Sequence, residues 1–224
     1  LTGHLDTASG AVHLCGSGPS LRQSWREIKG DVIAINSSLG YLLERGITPR
    51  WAMIWDASPL CEKFAVPHAD VTYLIGARCH QSVFERLSGC RVIAWHAGGD
   101  HNIAELLRAR GINEPLVNGG TAGVTRGIYL AYALGYREIH LHGCDSCYMG
   151  GDTHVAGSLV PEKDITVYHG GRWFRTTPEW VAQIEEMKII YPFMSTPAMG
   201  ARIIAHGEGM MQHSISIMKS DPEG

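Results

Sequence analysis

Between residues 11 and 142, short apolar runs closed by Gly, Asn, Asp or Pro alternate with stretches of helical spacing. Runs apolar on both faces are those of buried parallel strands covered above and below. The pattern predicts an α/β fold, a Rossmann-like, mostly parallel sheet flanked by helices. Strands are expected at 11–15, 32–35, 51–55, 71–75, 92–95 and 138–142, with helices at 21–28, 39–45, 81–87, 102–110 and 121–134. Gly46, Gly111 and Gly135 stand where helices end.

After Tyr148 the period is lost, and residues 149–175, rich in Gly, His and Thr, read as a long lid-like loop. A helix with Thr177 as N-cap and Pro178 in its first turn is expected to run to Lys188. A short element follows near 198–205, and 219–224 read as a frayed tail. Residues 1–148 are thus expected to form a nucleotide-binding core. Residues 149–224 supply the lid loop and a C-terminal helical segment that complete the same domain.

Two glycine-rich turns carry the chemistry. Gly16-Ser17-Gly18-Pro19-Ser20 follows an apolar strand directly, where bare backbone N–H groups and a helix start suit a phosphate. Asn118-Gly119-Gly120-Thr121-Ala122-Gly123 opens a second helix in the same manner, with the Thr121 hydroxyl as a further donor. Either turn alone is equally a tight connection or a site of close helix–sheet packing. Leu21 stands where a dinucleotide fingerprint needs glycine and Asn36 where it needs an acidic residue, which argues against NAD and FAD, and no P-loop sequence occurs, which excludes an ordinary P-loop kinase. Ligands of open parallel sheets lie beyond the carboxyl ends of the strands, which here carry Gly16, Asn36, Asp56 and Asp145. Asn36 suits a base or ribose, and Asp56 and Asp145 a ribose hydroxyl, a proton or a metal; Asn36 and Asp56 also suit plain helix N-caps.

Gly119-Gly120-Thr121-Ala122-Gly123, the run from Tyr129 to Ile139, and His142-Gly143-Cys144-Asp145 together resemble the MptE-like family, named for 6-hydroxymethylpterin diphosphokinase. The early Gly-x-Gly-Pro-Ser-Leu turn and the late Gly-x-Asp are also similar to bacterial sialyltransferases that use CMP-sialic acid, and to Maf-type flagellin-modifying proteins. The resemblance spans about residues 12 to 148. It implies that residues 16–20 and 118–123 surround phosphate and sugar, with Asn36 near the nucleotide and Asp56 and Asp145 lining the cleft. Ser17 and Asp56 replace asparagines usual in those sialyltransferases, and the added carboxylate favours magnesium-assisted diphosphate transfer.

Two transfers follow. In one, Asp56 and Asp145 place Mg2+ on a nucleoside triphosphate whose diphosphate moves to a small hydroxyl-bearing acceptor. In the other, a CMP-activated sugar is the donor, the acceptor is a small molecule or glycan, and His154 or His169 is the base. A nucleotide-binding protein without chemistry is the third reading. Trp173, Phe174 and Arg175 are candidate acceptor contacts. His140, His142 and Cys144 share a strand face and could meet zinc, though buried histidines more often satisfy one another or the backbone.

A net charge of −3 without a basic cluster argues against a nucleic-acid polymer as partner, and no apolar run approaches the roughly 18 residues that span a bilayer. Six scattered cysteines and no leader-like start lead to an expected cytoplasmic location, with oligomeric state open.

Overall fold

The computed structural model describes residues 10–99, 101–155 and 164–220. Its strands are β1 Ala11–Cys15, β2 Asp31–Ile35, β3 Trp51–Ile54, β4 Thr72–Gly76, β5 Arg91–Trp95, β6 Glu138–His142, β7 Ile165–His169, β8 Arg172–Thr176 and β9 Arg202–Ala205. The helices are α1 Leu21–Ser24, α2 Ser38–Leu43, α3 Gln81–Arg86, α4 His101–Ala109, α5 Gly123–Ala133, α6 Pro178–Met194 and α7 Met210–Ser220. Seven strands form one parallel sheet in the order β5-β4-β3-β2-β1-β6-β9. The expected α/β architecture is therefore present.

Successive side chains of a strand point to opposite faces, so the sheet feeds two cores. Leu14, Ile35 and Met53 pack with Ile128 of α5, Met187 of α6 and Met211 of α7. Cys15, Ala34 and Ile54 pack with Leu21, Leu39, Leu42 and Val83 under α1, α2 and α3. Each such aliphatic side chain contributes about 1.5–3 kcal/mol on burial. Helix α5 descends close to the sheet because two of its inward positions are bare. A Cβ on Gly127 would stand 3.0 Å from Leu14 Cδ1, and one on Gly123 3.2 Å from Ile35 Cγ2.

From β1 the chain steps outward to β5, then returns to place β6 on the other side of β1. The crevice at this reversal is where parallel sheets bind ligands. The first glycine turn leaves β1 there, and Asp145 follows β6.

Several boundaries differ from expectation. Helix α1 lasts one turn before a 3-10 turn at Trp25–Glu27. Helix α6 passes Lys188 and Pro192 to reach Met194, because Met187, Ile190 and Met194 continue its buried stripe. The element near 198–205 is the edge strand β9, and α7 occupies 210–220, so Lys219 and Ser220 are helical. Residues 221–224 of the expected tail lie outside the described residues. The supposed loop at 149–175 contains the antiparallel hairpin β7–β8, turning at Gly170 and Gly171 with φ of 53° and 83°. Residues 156–163 of that segment lie outside the described residues.

The zinc expectation is not met. His140 and His142 do share a face, but their neighbours are His13 and His206, not Cys144, and the rings stack, His142 and His206 with centroids 4.2 Å apart. His13 Nδ1 lies 2.9 Å from His142 Nε2, and His140 Nδ1 2.9 Å from His206 Nε2. Glu138 and Glu27 accept from the outer nitrogens of His140 and His206, each at 2.9 Å. Each of these close contacts pairs an N–H with a ring nitrogen, so the facing nitrogens are engaged with one another and not with a cation. Among the described residues no group of three or more His, Cys, Asp or Glu is arranged to hold a metal ion, and no helix is long and apolar enough to cross a membrane.

Candidate functional site

The strand ends open into two adjoining cavities of 160 Å3 and 790 Å3. Asn36, Gly123 and Gln183 line both, which makes them one cleft. The smaller half is walled by Gly16, Ser17, Gly18, Asp145 and His154; the larger by Asp56, Arg78, Arg126 and the turn from Gly119 to Gly123. Asn36 sits at the junction in the left-handed region, φ 53°, and its buried Oδ1 has no partner. Asparagine tolerates that backbone, and a buried carbonyl oxygen without a donor awaits one.

The first turn already holds an anion, the chain's own. Ser20 N donates to Asp145 Oδ2 at 2.8 Å, and Gln212 Nε2 donates to Oδ1 at 2.9 Å. A Cβ on Gly18 would meet Oδ2 at 2.5 Å, so glycine there admits the carboxylate. Asp145 is 2% exposed, and burial raises its pKa against the lowering effect of the Ser20 and Gln212 bonds. Ser17 donates its hydroxyl to Ile35 O at 3.1 Å. Pro19 and Ser20 are buried beneath the turn.

The second turn also holds a carboxylate, supplied by α6. Thr121 N donates to Glu186 Oε1 and Oε2 at 2.9 and 3.0 Å, the Thr125 hydroxyl donates to Oε2 at 2.7 Å, and the Thr121 hydroxyl donates to Oε1. Burial would raise the Glu186 carboxyl, but the Thr121 and Thr125 bonds outweigh it and the net shift is downward. Ala122 lines the cavity beside Thr121, whereas Asn118 stands behind the turn, its side chain against Gly98.

Asp56 and Asp145 are not brought together. Asp56 is exposed in the larger half, where its Oδ1 accepts from Ser58 N at 2.8 Å, while Asp145 lies under the smaller half with both oxygens engaged. A two-aspartate magnesium site does not fit this placement. His154 reaches the cleft; burial lowers its pKa, with Lys63 adding to the effect. His169 lines neither cavity and instead meets His213 edge-on, 6.1 Å between centroids, on the hairpin's docking face. Trp173, 69% exposed, packs on Tyr168; Phe174 is buried against His213; Arg175 pairs with Asp164 over the Tyr148 ring. None of the three lines either cavity.

Sequence reasoning missed α6 as a wall. Trp180, Gln183 and Glu186 recur every third residue and face the cleft and its second turn, a spacing visible in the sequence once the helix is granted. It also missed Arg78 and Arg126, one in a βα connection and one inside α5, for which no local motif exists.

No match is found among curated protein sequences. Among solved structures, the Maf glycosyltransferase from Magnetospirillum magneticum AMB-1 superposes with a TM-score of 0.64 at 18% identity, covering 98% of this chain and 37% of that one. The chain thus spans little more than a third of that protein, and the likeness concerns the fold. The monofunctional α-2,3-sialyltransferase Cst-I from Campylobacter jejuni gives a TM-score of 0.48 at 17% identity, covering 91% and 78% of the two chains. The sialyltransferase CstII from Campylobacter jejuni, solved with the substrate analogue cytidine-5'-monophosphate, gives 0.45 at 15%, covering 91% and 81%. The profile of the 6-hydroxymethylpterin diphosphokinase MptE-like family matches residues 5–151, and the chain belongs to that family.

Proposed function

We propose that this transferase takes a nucleoside triphosphate in the cleft between the two glycine turns and moves its diphosphate to a hydroxyl of a small acceptor. The observation that carries the reading is the continuity of the two cavities through Asn36, whose unpartnered Oδ1 is suited to a base or ribose donor group. Positive groups in the larger half, Arg78 and Arg126, suit the charge of a triphosphate. A magnesium ion arriving on the phosphates, where it would neutralise charge on the moving group, would find Asp56 as its protein carboxylate. In this reading His154, which lines the cleft and whose pKa burial lowers, accepts the acceptor's proton. Its presence in the cleft also favours the second reading, glycosyl transfer from a CMP-activated sugar. Six unpaired cysteines agree with a reducing cytoplasm.

Thermal unfolding with nucleoside triphosphates and with CMP-, CDP- and UDP-sugars, each with and without magnesium, tests the reading. A ligand at 100 times its Kd adds about 2.7 kcal/mol. The expected result is stabilisation by a triphosphate and release of the nucleoside monophosphate on turnover. Stabilisation by a CMP-sugar alone transfers the assignment to the glycosyl reading, and no shift with any nucleotide overturns both.

A further inference from the structure

The larger half of the cleft has an unresolved charge. Arg126 is 5% exposed and lies with its guanidinium 4.9 Å from the Trp55 ring centroid. Its Nη1 donates to Val117 O at 2.6 Å, but its buried Nε has no partner. Arg78, exposed at the cavity wall, lies 5.1 Å from the same ring and forms no ion pair among the described residues. The nearby carboxylate of Glu186 spends both oxygens on Thr121 and Thr125. Two guanidinium groups over one indole repel, and a buried cation with an orphaned donor is costly unless something anionic arrives.

We propose that Arg78 and Arg126 together bind an anionic group of the substrates in the larger half of the cleft, away from the first glycine turn, whose anion is Asp145. The inference rests on the reading that a donor occupies the cleft, and it adds that an anionic part of that donor meets these two arginines. A guanidinium fork accepts a tetrahedral phosphate or a planar carboxylate equally well. The shared chemistry has two sources: the terminal phosphates of a triphosphate, or the carboxylate of an acidic sugar. The group would align its oxygens with the Arg126 Nε–H and the Arg78 fork, and the Trp55 ring would keep both arginines extended beneath it.

Calorimetry on the whole chain with inorganic pyrophosphate, with N-acetylneuraminate and with a panel of nucleoside monophosphates separates the possibilities. Wild type is expected to bind pyrophosphate or N-acetylneuraminate, and whichever binds names the source. Arg78→Ala, at an exposed site that leaves the core intact, weakens that ligand at least tenfold while monophosphate affinity changes less than twofold. Glu186→Gln, which removes the competing negative charge near Arg126, tightens it severalfold. Arg126→Gln repeats the loss in the buried partner. Equal affinity of wild type and Arg78→Ala for both probes, or no binding of either, overturns the proposal. If the probes bind and depend on Arg78 while no monophosphate binds, the anion site stands and the nucleotide reading falls.

Discussion

The two glycine turns look alike in sequence, and each closes on a carboxylate of the chain, yet the two closures differ in kind. Asp145 follows directly on the strand next to β1, is nearly inaccessible, and is held by Ser20 and Gln212 from opposite ends of the chain. Glu186 comes from a separate helix, is half-buried, and is held by a backbone N–H and two hydroxyls at a helix start. The first carboxylate is part of the turn's architecture. The second comes from outside the turn and lies near Arg126, whose Nε alone lacks a partner. Glycine-rich turns in parallel sheets thus need not be empty cradles, and what fills them decides which can open.

Asp145→Asn is expected to have the largest effect, a loss of about 3 kcal/mol in denaturant unfolding, because the amide turns a donor toward Ser20 N or Gln212 Nε2. A loss below about 1 kcal/mol would remove the architectural role. Gly18→Ala should follow at about 2 kcal/mol, since the new methyl meets Asp145 Oδ2 at 2.5 Å and Gly143 O at 2.7 Å.

Acid should strike the floor of the first turn next. The carbonyl of His142 accepts from Gly16 N at 2.8 Å, and burial, with His206, His13 and His140 adding to it, lowers the His142 imidazole to about 3. Between about 3 and its ordinary 6.5 the unfolded chain binds a proton that the folded chain refuses. Stability contributed by His142 is therefore lost as pH falls through that window. Unfolding measured from pH 7 to pH 4 in wild type and His142→Gln checks this, and parallel curves would refute it. The smallest expected change is that of Glu186→Gln, under about 1 kcal/mol, because a half-exposed acceptor keeps its hydroxyl donors when neutral. A loss as large as that of Asp145→Asn would erase the contrast between the turns.

Much of this was legible beforehand. The six expected strands all form, because residues apolar on both faces leave a parallel interior strand little alternative. The turns at 16–20 and 118–123 were found from glycine and strand context, and their meeting at Asn36 follows from the sheet order. Gly170-Gly171 between two five-residue runs was a two-residue hairpin signal, but the surrounding His, Gly and Thr obscured it. The partners of Asp145 and Arg126 were not legible. Gln212 is 67 residues from Asp145, and Trp55 approaches Arg126 from another strand end, so no local spacing records either contact.

The Gln212–Asp145 bond also sets an order of assembly. Strand β1 lies inside the sheet, yet its second neighbour, β6, is made only after more than a hundred further residues, and the amide that completes the first turn comes 67 residues after Asp145. At about 5–20 residues per second on a ribosome, several seconds separate the emergence of Asp145 from that of the residue that secures it. During that interval the nascent chain carries a buried-type carboxylate and an open sheet edge along β6, where β9 will later pair. The first turn should therefore stay unclosed until α7 has left the tunnel.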